Sequence, residues 1–330
     1  MSKLVTIYGG SGFVGRYIAR RMAQAGWRVR VACRHPNEAI FVRPYGVVGQ
    51  VEPVFCNIRD DASVASVLHG ADAVVSCVGI LSESGKQTFD AVQVDGAARI
   101  ARLTAEAGIG HLVHVSAIGA DADGPSEYAR TKAEGEAAVL EHMPGAVILR
   151  PSIIFGAEDN FMNRFAAMAT MTPVLPVVAA DTKFQPVWVD DVAAAAVKAI
   201  RGDVPTGVYE LGGPEVISMY DLMGKIVAMI RRTRPRMKVP FFVARVMAWS
   251  LDMLQAGTFG LVSNGTLTRD QLKSLTRDNV VADDARTFAD LGIEPTAMDA
   301  VLPDYLWVYR PGGQYSDAQE SASRMRIDRA

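Results

Sequence analysis

The sequence predicts an α/β protein, built as a doubly wound parallel sheet with a smaller, mainly helical C-terminal lobe. Three observations carry that expectation. Short apolar, β-branched segments alternate with helix-length amphipathic segments through about residue 157. The first junction between such segments holds Gly9, Gly12 and Gly15 at intervals of three. From about Phe161 the strict alternation is lost, and beyond Gly213 the apolar spacing is mostly helical. Strands separated by helices of this length build a parallel sheet with right-handed crossovers.

"KLVTIY" (3–8) is apolar and β-branched, as a buried parallel strand should be. Gly9 permits a sharp exit, Gly12 lets a pyrophosphate approach the backbone, and Gly15 lets the next helix pack close to the strand. A helix from about Phe13 to Ala25 follows, with Val14, Ile18, Met22 and Ala25 on one face. Its free N–H groups and positive dipole end suit phosphate, so Ser11, Phe13 and Val14 join the glycines as candidate dinucleotide contacts. With "RVRVACR" (28–34) as second strand, this is the first βαβ unit of a Rossmann domain.

The remaining elements follow in order. "VEPVFCNI" is a third strand and "DDASVASVLHG" an Asp-capped helix. "DAVVSCVG" is a fourth strand, and residues 88–108 form one long amphipathic helix. "HLVHVSAIGA" is a fifth strand, "SEYARTKAEGEAAVLEHM" a helix and "GAVILRPSIIFG" a sixth strand. Residues 185–213 return a strand and a helix to this domain and add a further strand, "GVYELGG". The expected organisation is therefore a dinucleotide-binding domain over 1–157 completed by 185–213. The smaller lobe takes 158–184 and 214–309, and 310–330 forms an extended tail.

Ligands in such sheets bind at the carboxyl ends of the strands. Those ends supply Arg34, Asn57, Ile58, Cys77, Val78, Gly79, Ser116, Pro151 and Ile153. The second strand ends in Cys33, Arg34 and His35, where an acidic residue would bind a ribose 2′-hydroxyl. A guanidinium there suits a 2′-phosphate, and Arg16 offers a second cation. The expected cofactor is NADP(H) in preference to NAD(H), unless Arg34 is simply solvated. Asn57 could bond adenine with Ile58 packing on its face, and Gly79 would let the backbone pass close to the cofactor.

Composition narrows the classes. The chain has 330 residues, 49% hydrophobic and 21% charged, as in soluble globular proteins. A formal net charge of −2 argues against a whole-molecule nucleic-acid binder. Three cysteines without CxxC spacing read as buried thiols, and no metal site is expected. No uncharged apolar run reaches the length of a membrane span. The N-terminus enters a strand directly, with neither signal-peptide nor transit-peptide character.

GxxGxxG at 9–15, Tyr128 and Lys132 in Y-x-x-x-K spacing, and Arg150-Pro151 before "IFG" resemble an extended or atypical short-chain dehydrogenase/reductase. "RPSIIFGAEDNFMNRFA" (150–166), "QPVWVDDVAAAA" (185–196) and "LTRDQLKSL" (267–275) are similar to the NADPH-binding accessory subunit of respiratory complex I, the NADH:ubiquinone oxidoreductase. That resemblance implies a tightly held NADP(H), other complex I subunits as partners, and a place near the junction with the membrane arm by the quinone site. It also implies no turnover, and the missing transit peptide points to a peripheral location on the cytoplasmic face of a bacterial inner membrane, or else to a processed mature chain.

The dehydrogenase resemblance implies a catalytic Ser, Tyr and Lys. The Tyr hydroxyl moves a proton, the Lys lowers its pKa and holds the nicotinamide ribose, and the Ser steadies a substrate carbonyl. Tyr128 and Lys132 are the candidates, on one helix face. Ala117 stands where the Ser is expected, and Ser116 would point to the opposite face of a continued strand. The pair is then expected to persist as a cofactor clamp. The alternative is an active NADP-dependent reductase or sugar-nucleotide epimerase/dehydratase using Tyr128 and Lys132. One further stretch, residues 231–254, couples a basic run to an apolar helical pattern including Phe242, Trp249 and Leu251. It reads either as a core helix after a solvated loop or as a surface for lipid and partner subunits.

Overall fold

The computed structural model describes residues 2–246 and 269–315. Seven strands form the central sheet: β1 (Leu4–Tyr8), β2 (Arg28–Cys33), β3 (Val51–Phe55), β4 (Ala73–Ser76), β5 (Leu112–Val115), β6 (Val147–Pro151) and β11 (Gly207–Leu211). Their order is β11-β6-β5-β4-β1-β2-β3, and every pairing is parallel. The order reverses between β1 and β4, the crevice where doubly wound folds bind their ligands.

The strands are apolar on both faces because helices cover both. α1 (Phe13–Gln24) and α6 (Val189–Arg201) cover one face, where Ile18 and Met22 meet Val5, Ile7, Val31 and Val192. α3 (Asp95–Glu106) and α4 (Glu127–His142) cover the other with the short α2 (Asp61–Ser66). Here Ile100 and Val139 pack on Tyr8, Val74 and Ile148. Caps fix two of these starts: Asp60 accepts from Ser63 N–H, and Ser126 from Ala129 N–H.

A second core lies beyond the crevice. It gathers Phe155, Met162, Leu175, Phe184, Ile226 and Leu302. They come from β7 (Ile154–Phe155), β8 (Leu175–Val178), β9 (Lys183–Phe184), α5 (Met162–Met171), α7 (Met219–Met229) and α9 (Met298–Leu306). Three two-stranded ladders complete this region. β7 pairs with β10 (Val187–Trp188), β9 with β12 (Ile217–Ser218), and β8 with β13 (Arg236–Val239). A short helix, α8 (Arg269–Ser274), docks back on α4. Among the described residues no helix is long and apolar enough to cross a membrane.

Several elements depart from the sequence expectations. The long helix over 88–108 divides into a π-type turn at Asp90–Val94 and α3. The widened turn lies where Gly135 of α4 abuts the Gln93 carbonyl, so close that a Cβ would collide with it. The sixth strand breaks at Ser152-Ile153, and β10 pairs with β7 outside the main sheet. A 3-10 segment at Pro36–Tyr45, which the periodicity did not suggest, follows β2. Ala25 is the exposed C-cap of α1; Ala19 and Ala23 fill the buried face instead.

Part of the basic run is bonded within the lobe, and part stays at its surface. Arg232 Nε donates to Tyr309 O at 3.1 Å and Arg234 Nε to Ala169 O at 2.9 Å. Arg236 donates to Tyr220 O and stacks 4.1 Å over its ring, and Lys238 pairs with Asp181. Met171, Met237, Phe242 and Val246 remain exposed. Residues 247–254, with Trp249 and Leu251, lie outside the described residues, as do 316–330 of the expected tail. The start of that tail is anchored: Arg310 Nε donates to Met229 O, and Gly313–Tyr315 makes a short 3-10 turn.

Candidate functional site

The glycine turn opens at the switch point of the sheet. Gly9 takes a φ of +72°, and its open side faces the Cys77 carbonyl at the end of β4. A Cβ at Gly15 would abut the Gly9 carbonyl oxygen and lie 2.6 Å from Gly10 Cα, so the helix can approach only without a side chain there. At Gly12 a Cβ would meet only the Gly9 oxygen, at 3.1 Å, and otherwise open space. Gly12 is also the N-cap of α1 and caps it with no side chain. The backbone bonds leave the N–H groups of Phe13, Val14 and Gly15 without carbonyl acceptors among the described residues. Unclaimed N–H groups at a helix start, over a bare glycine, fit a pyrophosphate.

Arg34 is exposed at the end of β2 and makes no ion pair or hydrogen bond among the described residues. It is free to meet a phosphate. Arg16 is not. Its Nε and Nη2 donate to the Gly12 and Ser11 carbonyls, its guanidinium lies 4.6 Å from the Phe41 ring centre, and Nη1 stands 3.5 Å from Glu158. Arg16, expected as a second cation for the phosphate, is bonded to the carbonyls of the turn itself.

The adenine end is built less openly than expected. Asn57 Oδ1 accepts from Arg59 N and Nε, leaving the amide NH2 as its remaining donor. Ile58 packs onto Gly96 of α3, where a Cβ would lie 2.8 Å from Ile58 Cδ1. Val78 and Ile153 are half-buried, and Pro151 is buried.

Lys132 and Tyr128 sit where α4 meets the ends of β4 and β5. Lys132 Nζ donates to Val115 O at 3.3 Å, and a Cβ on Gly79 would lie 3.2 Å from it. Burial holds the Lys132 ammonium down to about 8, against the pull of Glu136 and the Cys77 thiol. Burial pushes the Tyr128 hydroxyl up to about 12 and the Cys77 thiol to about 12. The Tyr128 ring meets Phe89 edge-on at 6.1 Å. His114, under the same helix, is driven down to about 3 by burial and then by Lys132. It is neutral at physiological pH, a core residue and not a base.

Ala117 is half-buried and offers no hydroxyl. Ser116 is 4% exposed, and its Oγ has no partner among the described residues. β5 ends at Val115, and Ser116 follows it with its N–H donating to Leu149 O at 2.7 Å.

Sequence reasoning missed the pairings that fix this site from a distance. Arg150 forks onto Glu136, one turn after Lys132, with its shortest contact 2.6 Å, and reaches Glu210 at 3.5 Å. Asp270 of α8 accepts from the N–H groups of Glu127 and Tyr128 at 2.7 and 3.1 Å, capping α4 from outside. Asn279 accepts from the Ser152 hydroxyl at 2.6 Å and donates to Ile118 O at 3.0 Å, lacing β5 to β6 just past Ala117. All are long-range pairs, and local spacing carries no signal for them. Only the Asp and Asn identities in "RDQ" and "RDN" offered a hint.

The RmlD substrate binding domain family matches residues 2–246. The chain is 34% identical over 316 residues to NADH dehydrogenase (ubiquinone) 1 alpha subcomplex subunit 9, mitochondrial, of Arabidopsis thaliana, covering 94% of this chain and 79% of that protein. It is 33% identical over 208 residues to the ceramide reductase of Caulobacter vibrioides, covering 63% of this chain and 64% of that protein. Among solved structures, an epimerase from Methanothermobacter thermautotrophicus superposes with a TM-score of 0.70 at 17% identity, covering 98% of this chain and 95% of that one.

Proposed function

The chain belongs to the RmlD substrate binding domain family and, with it, to the relatives of the complex I alpha subcomplex subunit 9, and from that premise we propose that it is an accessory subunit of an NADH:ubiquinone oxidoreductase that keeps NADP(H) bound without turning it over. One asymmetry supports the reading: donors suited to a cofactor stand unclaimed on one side of the crevice, and the hydroxyl expected on the substrate side is absent. The glycine turn has unclaimed N–H groups, and Arg34 lacks a protein partner. Across the crevice, Ala117 cannot bond a carbonyl oxygen, and the Asn279 side chain already ties Ile118 to Ser152.

Bound NADP(H) supplies a hydride-carrying nicotinamide. This chain's residues would hold it: Gly12 to Gly15 at the pyrophosphate, Arg34 at the 2′-phosphate, and Lys132 with Tyr128 at the nicotinamide ribose. Loss of one transition-state donor costs about a hundredfold or more in rate, which is the deficit Ala117 implies for carbonyl reduction. A resident ligand, in contrast, stabilises its host by mass action.

The proposed partners are other complex I subunits, at the cytoplasmic face of a bacterial inner membrane beside the quinone-site junction. Support for a docking face in the smaller lobe comes from exposed Met171, Met237, Phe242 and Val246. The bonds of Arg232, Arg234 and Arg236 to backbone carbonyls favour protein over anionic lipid as what covers it.

The specificity is tested by Arg34→Asp. NADPH affinity should fall roughly 10- to 100-fold, as for a lost charge-assisted contact, while NADH affinity holds or rises. Equal losses, measured by isothermal titration, would refute the 2′-phosphate assignment. A second reading, an active reductase, is favoured by the retained Tyr128 and Lys132 and by the ceramide reductase relative. It requires hydride transfer that Tyr128→Phe removes.

A further inference from the structure

We infer that Glu158 is a latch that sets how long the dinucleotide stays bound, closing the crevice by holding the start of α1 to the loop after β7. The inference rests on the dinucleotide reading above and adds to it a residue that contacts neither the glycine turn nor the strand ends.

Three loops meet at the mouth of the crevice, and Arg16 joins them. The guanidinium donates to the Ser11 and Gly12 carbonyls of the turn between β1 and α1. It stacks on Phe41 of the 3-10 segment after β2. It reaches Glu158 Oε1, in the loop between β7 and α5, at 3.5 Å. Glu158 Oε2 accepts a second bond, 2.8 Å long, from the Tyr17 hydroxyl. Burial and this bond push the Tyr17 hydroxyl well above its ordinary range, so it stays a donor. One carboxylate thus takes two donors that are neighbours on the first turns of α1.

The loop that carries Glu158 is itself held. Gly156 lies against Phe13, with a Cβ there 3.3 Å from the ring. The adjacent Asp159 is buried, and its carboxylate accepts from Gly156 N–H, from Asn163 N–H and from the Tyr305 hydroxyl at 2.7 Å. Tyr305 lies on α9 in the core of the smaller lobe. Glu158 therefore sits on a fixed mount, and opening the mouth at the pyrophosphate end requires its bonds to Arg16 and Tyr17 to break.

The sign of its effect separates this role from simple charge. A carboxylate near a pyrophosphate repels it, so a bystander Glu158 would weaken binding, and its removal would slow release. A latch does the opposite. The test uses the full chain loaded with NADPH and chased with excess NADP+, following loss of bound-NADPH fluorescence. Glu158→Gln and Tyr17→Phe should each release NADPH about two- to tenfold faster, the first for a lost ion pair and the second for a lost hydrogen bond. Because the same bonds bar entry, association should quicken as well, while the melting temperature of nucleotide-free protein should fall only slightly, as for an exposed pair. Unchanged or slower release from Glu158→Gln overturns the latch while leaving the dinucleotide reading intact. Failure of the wild-type chain to retain NADPH overturns the reading and the latch together.

Discussion

Gly15→Ala should abolish tight dinucleotide binding. The added methyl meets the Gly9 oxygen and Gly10 Cα, both backbone atoms of the turn that forms the phosphate cradle. Neither can yield without moving the N–H groups that face the ligand. Overpacking of this kind costs about 1–3 kcal/mol of stability, and displaced donors should lower NADPH affinity by at least about a hundredfold. Gly110→Ala is the matched control. It has no atom within 4 Å of the added carbon and no positive φ, so it should leave affinity unchanged and stability equal or slightly higher. Titration calorimetry and thermal melts on both variants check the pair. Normal affinity in Gly15→Ala would mean that the turn is not the phosphate site.

Glu136→Ala is expected to be the most destabilising single change near the site. Glu136 is 4% exposed and carries both arms of the Arg150 fork. Its removal leaves a half-buried guanidinium with only Glu210, at 3.5 Å. Breaking a buried pair from one side costs about 3–5 kcal/mol, readable as a lower urea midpoint at constant slope. The consequence reaches the site. The fork fixes α4 against β6, and Glu136 is the group that most offsets the burial of Lys132. Losing it should lower the Lys132 pKa below about 8 and loosen its hold on the ribose. A loss under about 1 kcal/mol would show that the fork contributes little to the packing of α4.

The fold was legible because its signals are local. Val5, Ile7, Val29 and Val31 announce buried parallel strands, and Gly9 and Gly15 announce a turn that only glycine fits. Ser126 and Asp60 announced two helix starts and cap them as their residue type predicts. The position of Arg34, exposed just past β2, was equally plain, because a strand end in this topology has a defined neighbourhood. The partners of Arg16 were not legible for the converse reason: Phe41 and Glu158 are brought to it by tertiary packing, and Glu158 lies 142 positions away along the chain (158 − 16). Asp270 and Asn279 belong to the same class. Residues after the last sheet strand return to the crevice, and no spacing rule announces where they land. The split of 88–108 into a π-type turn and a helix turns on the approach of Gly135 from another element.

The central claim is that this chain holds its dinucleotide as a resident part of a respiratory assembly. It is tested most directly by mild detergent isolation of NADH:ubiquinone oxidoreductase from the native membrane, with quantification of this chain and of extracted NADP(H). The account predicts one copy of the chain per complex, with close to one NADP(H) that does not change redox state during quinone turnover. Recovery of the chain only as a free species, or of a bound nucleotide oxidised and reduced in step with turnover, would contradict it.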